Sequence, residues 1–250
     1  MRFMLYNIRY AAGIGKQFHF PLPYSGFLKS TEFKLQEIGS YIQAVGPDVV
    51  GLVEVDNGSF RAGKQCQAGI IAQQLHHDHV FKNKYRVGSV MSKMPLALNQ
   101  GNAFLTNRAI RDTRFHYLNN GVKRLVLELE LDDVTMFLVH LSLKSWSRRK
   151  QLKDLSAIVN AAAKPAIVAG DFNVFGGFRE LNDFRAATGL LNANGLGLPS
   201  HPSRAPKRYL DHILHSPQIR VDAFYTPQVT FSDHLPLVCD FTVEPRKWLT

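Results

Sequence analysis

An α/β sandwich in which sheet outweighs helix is the fold class this 250-residue sequence predicts. Eight apolar, strand-like runs are spread along the chain, and only three stretches carry helical spacing. No repeat or linker-like tract divides it, so a single domain over 1–250 is expected. Hydrophobic residues make up 45% and charged residues 20%, enough apolar mass for a sizeable core and too much for disorder.

The first strand is FMLYNI, at 3–8, and 11–31, rich in Gly, Pro and Ser, follows as a loop. Leu35, Ile38, Ile42 and Val45 then line one helical face, which Gly46-Pro47 terminates. DVVGLVEV is a continuous apolar strand, followed by loops at 56–66 and 82–100. NAFLTN, RLVLELEL and VTMFLVHL are the next strands. A second helix starts at Ser147 as its cap, turns Leu152, Leu155, Ile158, Val159 and Ala162 inward, and ends before Pro165. After the strand AIVAGD a short helix fits 178–188, with Gly189 just past its end. A loop at 189–207 leads to the strands YLDHIL and LPLVCDFTV.

A formal charge of +10 gives the surface a field that attracts phosphate-rich partners, nucleic acid or anionic lipid headgroups among them. Cys66 and Cys239 form neither a disulfide framework nor a metal-site spacing. The N-terminal MRFMLYNIRY lacks the long apolar region of a secretory signal, and no run reaches membrane-spanning length. A cytoplasmic protein without an integral membrane segment is the expectation.

Four apolar runs end in residues that do chemistry: FMLY in Asn7, VVGLV in Glu54, TMFLV in His140 and AIVAG in Asp171. Strands lying side by side would deliver those side chains to one sheet edge. In GDFN, Gly170 permits close backbone approach while Asp171 and Asn173, two apart, face one side; the same residues also suit an Asx turn. SDHLPL offers Asp233 as an acceptor for a proton or metal and His234 as a group that titrates near neutrality, although SDH alone also caps turns. Asp211 lies in the apolar run YLDHIL, where a buried carboxylate needs a partner; His234 and Arg208 are both candidates. Glu54 at a strand end suits a hard cation such as Mg²⁺, to which Asn7 adds an amide oxygen.

Taken in order, YN at 6–7, VEVD at 53–56, GNAFLTN at 101–107, VHL at 139–141, RRKQL at 148–152, GDFN at 170–173, YLDHIL at 209–214 and SDHLPL at 232–237 resemble the endonuclease/exonuclease/phosphatase family. The resemblance spans nearly the whole chain and implies a four-layer α/β/β/α sandwich of the DNase I type, an α+β fold with two mostly antiparallel sheets face to face. It implies hydrolysis of phosphate esters by in-line attack of water, with Mg²⁺ or Mn²⁺ as cofactor. By resemblance, Asn7, Glu54 and Asp233 serve the metal. Asp171 and Asn173 handle water and phosphate, His140 contacts the scissile phosphate, and Asp211 with His234 forms a carboxylate-imidazole pair. Leu-Val precedes His140 where many members have Asn-Thr, and only Tyr85 and Tyr117 offer themselves for the tyrosine some nucleases use.

Outside this set, KSWSRRK follows the His140 strand, and Trp146, Arg148, Arg149 and Lys150 are candidates for substrate binding. Arg9, Lys16, Arg204, Lys207 and Arg208 add to the positive field by sign, though the sequence does not place them. HHDH at 76–79 reads as a solvated polar loop, since those residues cannot all face one ion in regular structure. FGGF at 175–178 fits a turn with two core-anchoring phenylalanines, or a substrate groove. The expected protein is a monomeric phosphodiesterase or nuclease. A phospholipid or inositol-phosphate phosphoesterase is the alternative enzyme, and an inactive nucleic-acid-binding protein of the same fold the alternative from another class.

Overall fold

The structure is a computed structural model that describes residues 1–14, 30–84 and 97–244. Tyr85 and Lys16, with most of the loops at 11–31 and 82–100, lie outside the described residues.

Among the described residues, twelve strands form two sheets of six. The first sheet contains β1 (Arg2–Asn7), β2 (Val49–Asp56), β3 (Asp78–Asn83), β4 (Gln100–Thr106), β11 (Ile219–Tyr225) and β12 (Leu237–Val243), in the order β11-β12-β1-β2-β4-β3. The second contains β5 (Asp112–Tyr117), β6 (Leu125–Glu130), β7 (Thr135–His140), β8 (Ala166–Asp171), β9 (Leu191–Asn192) and β10 (Asp211–His215), in the order β5-β6-β7-β8-β10-β9. Each sheet is antiparallel except for one central parallel pair, β1 with β2 and β7 with β8. A parallel pair needs a crossover, and α1 (Glu32–Val45) and α3 (Ser145–Asn160) supply the two. α2 (Gln67–Leu75) and α4 (Asn182–Thr188) complete the helices among the described residues.

Three apolar clusters define the layers. Phe3, Leu5, Phe104, Leu127, Leu138 and Ile213 belong to one that joins the two sheets. Ile38, Ile42 and Ile71 fasten α1 and α2 to the outer face of the first sheet. Leu152, Leu155 and Phe184 fasten α3 and α4 to the outer face of the second. The molecule is thus the expected four-layer sandwich.

The eight expected strands are the eight interior ones. The four that were not expected, β3, β5, β9 and β11, are the four sheet edges. An edge strand has a neighbour on one side only and more exposure, so its sequence is polar, as in DTRFHY and DHVFKN. α1 ends as expected, with Gly46 in the left-handed conformation and its N–H bonded to the Ile42 and Gln43 carbonyls. α3 begins three residues earlier than expected, at Ser145, with Lys144 in the cap position. Ser147 is therefore no cap but a buried residue inside the first turn. HHDH is not a loop either: His76 closes α2 in a left-handed conformation and Asp78 opens β3.

Gly170 sits where β7 and β8 run parallel, at φ 149°, and a Cβ there would run into the Val139 carbonyl oxygen. Backbone cannot yield as a flexible side chain would. Gly170→Ala is therefore expected to cost more than about 3 kcal/mol in denaturant unfolding. A midpoint equal to wild type would show that the two strands can part at no cost.

Candidate active site

The period-two alternation of each inner strand puts one row of side chains between the sheets. On β1 that row is Phe3, Leu5, Asn7; on β7 it is Met136, Leu138, His140; on β8 it is Ile167, Ala169, Asp171. Asp211 continues Ile213 on β10 in the same way. Each row is apolar along the core and turns polar at one end of the sandwich.

Register then brings the ends together. His140 pairs with Asp171, and Asp171 pairs with Asp211, so the three stand in one rung across β7, β8 and β10. From the other sheet, Asn7 Nδ2 donates to Asp171 Oδ2 at 3.2 Å. Glu54 needs a further device, because regular alternation would turn it toward α1 and α2. The pairing of β2 with β4 slips between Leu52 and Val55, and Glu54 adopts φ 58°. This bulge turns its carboxylate to the inner end, 3.8 Å from His140 Nε2. Left-handed backbone at a non-glycine residue is strained and is typical of functional sites. Asn173, at φ 54°, shares it.

Asp171 accepts from the Asn173 N–H through Oδ1 at 3.0 Å, and its Oδ2 lies 3.4 Å from His140 Nε2 and 4.0 Å from His234 Nε2. Burial and the neighbouring Asp211 charge push its carboxyl up to about 6, against the pull of His234 and Lys123. Asn173 Nδ2 donates one N–H to the Leu141 carbonyl. Asp211 accepts from His234 Nδ1 at 2.6 Å and from the Ser200 hydroxyl at 2.6 Å. Arg208, the other candidate partner, instead lies over the Phe175 ring, 5.5 Å from its centroid. Burial lowers the His234 pKa, but the charge and hydrogen bond of Asp211 outweigh it and hold the imidazole up at about 10.

Asp233 stands somewhat apart, half-turned to solvent, with Oδ2 3.5 Å from Arg9 Nε. It groups with His201 and His234, while Asp171 and Asp211 group with the same His234; within each set the ligand atoms lie within 4.8 Å of one another. Glu54 belongs to neither set.

Two lysines that sequence reasoning did not single out complete the site. Lys84 is buried, with Nζ 3.0 Å from His140 Nδ1 and 3.5 Å from the Tyr10 hydroxyl. Lys123 Nζ is against His140 Nε2 and 3.9 Å from Glu54 Oε1. A neutral imidazole can accept on one nitrogen only, so both amines cannot deliver a proton to it. Burial brings Lys84 down to about 7, against the pull of Glu54 and Asp171. The signal for both lysines was alternation: Lys84 continues Val80 and Lys82, and Lys123 continues Leu127 and Leu125.

KSWSRRK is dispersed rather than a patch. Arg148 is buried, bonded to Glu180 and to the Ser142 and Leu143 carbonyls, so it is a structural residue and not an available cation. Arg149 lines the groove between α3 and α4. Lys150 lies over the exposed Trp146 ring, 5.7 Å from its centroid. In FGGF, Phe178 packs on the core and Phe175 is exposed. Tyr117 donates to the Asn83 carbonyl at 3.3 Å.

The model of the Endonuclease/Exonuclease/phosphatase family matches residues 5–234, and the chain belongs to that family. Solved structures share the fold. A mannosyl-6-phosphatase of Bacteroides thetaiotaomicron VPI-5482 aligns over 97% of this chain and 99% of its own, with TM-score 0.74 and 14% identity. The human Nocturnin catalytic domain aligns over 97% and 93%, with TM-score 0.65 and 22% identity. An endonuclease/exonuclease/phosphatase from Beutenbergia cavernae DSM 12333 aligns over 97% and 71%, with TM-score 0.71 and 19% identity. Among curated proteins there is no significant sequence match. No helix among the described residues is long and apolar enough to cross a membrane.

The Asp211–His234 pair can be tested by NMR. A folded-state pKa raised to about 10 means that protonated His234 stabilises the fold fully below its ordinary 6.5 and that this contribution fades as pH rises through about 10. In Asp211→Asn the imidazole is expected to titrate well below its wild-type value, because burial remains and only Asp171 and Asp233 are left to raise it. Wild-type His234 titrating at its ordinary value, or no movement in the variant, would remove the ion pair from the account.

Proposed function

We propose that this protein is a divalent-metal-dependent phosphoesterase that cleaves phosphodiesters, most simply those of nucleic acid, by in-line attack of water. The observation that carries the reading is the rung His140–Asp171–Asp211, closed from the other sheet by Asn7 and from the SDH turn by His234. The net charge of +10 supports a polyanionic substrate.

The donor set suits a hard cation. Glu54 and Asn7 offer oxygens at the ends of neighbouring strands, and Mg²⁺ or Mn²⁺ needs few protein ligands because it keeps several waters. Glu54, Asp171 and Asp211 are each less than a tenth exposed, a concentration of buried acid that a dication relieves. Glu54 and Asn7 would hold the ion, with Asp233 near it on the His234 side. Bound there, it supplies positive charge to the phosphoryl oxygens.

The chain's own groups account for the remaining work. Asp171, fixed through Oδ1 by the Asn173 N–H, presents Oδ2 to orient a water and accept its proton. His140, and the N–H of Asn173 not given to Leu141, bind phosphoryl oxygens. The His234 imidazolium, aimed by Asp211, and the Lys123 ammonium offset charge that builds up during displacement. An inactive binding protein would gain nothing from three carboxylates pointed at a phosphate.

Activity on a phosphodiester is expected to vanish in EDTA and return with Mg²⁺ or Mn²⁺, and Glu54→Gln should need more metal for half-maximal rate. Undiminished turnover in chelator would defeat the metal assignment. Asp171→Asn is expected to lower kcat on the order of 10²-fold or more. Its melting temperature should not fall, because the change relieves the repulsion between Asp171 and Asp211. An unchanged kcat would make Asp171 a turn residue and nothing more.

A further inference from the structure

A pocket of about 420 Å³ opens beside the candidate active site, between 121–123 and the 142–147 segment that leads into α3. We propose that it receives a nucleobase of the substrate, stacked on Trp146, so that the site acts on nucleic acid or nucleotides rather than on lipid. The proposal deepens the phosphoesterase reading and rests on it.

Position is the first argument. Lys123 lines the pocket and also touches His140 and approaches Glu54. One lysine therefore separates the pocket from the phosphate site, and a group ester-linked to that phosphate reaches it directly. The size falls within the range of small-molecule sites, which join apolar walls to a few polar groups.

The lining then selects the occupant. Val122, Leu143 and Trp146 are more than half exposed, a cost for large apolar side chains unless something covers them. Two further lining residues, Ser142 and Ser147, are 6% and 2% exposed, and their hydroxyls have no hydrogen-bond partner among the described residues. Gly121 lies against both: a Cβ there would run into the two hydroxyls. Both hydroxyls are sealed beneath Gly121, so the surface a ligand meets is made by the exposed apolar side chains and the lysines. A heterocycle fits this lining, offering a flat face to the exposed indole while its sugar-phosphate runs past the lysines. Lys144, also in the lining, adds a cation for an adjoining phosphate of the strand.

Two oligomers with equal phosphate counts separate base from backbone: a short oligo(dA) and the same length of tetrahydrofuran abasic units. The wild-type protein with Mg²⁺ is expected to favour oligo(dA) in kcat/KM by roughly tenfold or more, the size of one stacked base. Trp146→Ala should bring that ratio close to one, and Trp146→Phe should keep most of it. Binding is read separately in a Trp248→Phe, Asp171→Asn protein, where Trp146 is the remaining indole of the two in the chain and turnover is held off. Oligo(dA) should quench its fluorescence and the abasic oligomer should not. Equal turnover of both oligomers, or no quenching by oligo(dA), overturns the proposal, as does quenching by phosphatidylglycerol vesicles alone. If no phosphate ester is hydrolysed, the phosphoesterase reading fails, while the quenching experiment still decides what the pocket binds.

Discussion

One rung of the second sheet governs this end of the molecule. Hydrogen bonding between β7, β8 and β10 places His140, Asp171 and Asp211 shoulder to shoulder, and directly opposed residues in a sheet stand only about 5 Å apart. Two carboxylates at that spacing repel each other, and burial removes the water that would screen them. The site as a whole is the answer to that repulsion. His234 neutralises Asp211 from the SDH turn, Asn7 reaches across from the other sheet to Asp171, and Lys123 and Lys84 close around His140.

The supporting structure reads as a consequence. Gly170 lets β7 and β8 approach closely enough for the rung to form. Ser200 donates to Asp211, and its carbonyl takes the Leu235 N–H, which ties the turn bearing His234 to β10. Below Glu54, the buried pair Asp56–Arg61 is joined by Ser59 and Gln67, with the Arg61 guanidinium 4.7 Å from the centroid of the Tyr10 ring. A network satisfied at so many atoms holds the strained backbone at Glu54 and at Arg9, Tyr10 and Ala11, all with positive φ. The site is pre-organised at the expense of local stability, and the three apolar clusters offset that strain.

Legibility in the sequence followed burial. β1, β2, β7 and β8 are covered on both faces, so they are written as unbroken apolar runs, and a polar residue at the end of each is conspicuous. β3, β5, β9 and β11 border their sheets and carry mixed sequences that pattern reading passes over. α2 was missed because nine residues, QAGIIAQQL, hold too few turns to show a face. Lys84 and Lys123 look like ordinary surface lysines until the phase of the neighbouring strand is known. Arg148 misled in the opposite sense: in a run of basic residues it reads as exposed, yet the helix turns it inward onto Glu180.

By itself the sequence determined the layered architecture, the polar ends of the inner strands and the resemblance that names their family, because these depend on composition and alternation along one chain. The tertiary structure alone decided which strand ends meet, that a bulge swings Glu54 to the inner end, that two lysines bracket His140, and that Trp146 and two buried serines share a pocket with Lys123. Register, bulges and contacts between sheets join residues far apart in the chain, and no local pattern records a distance of that kind.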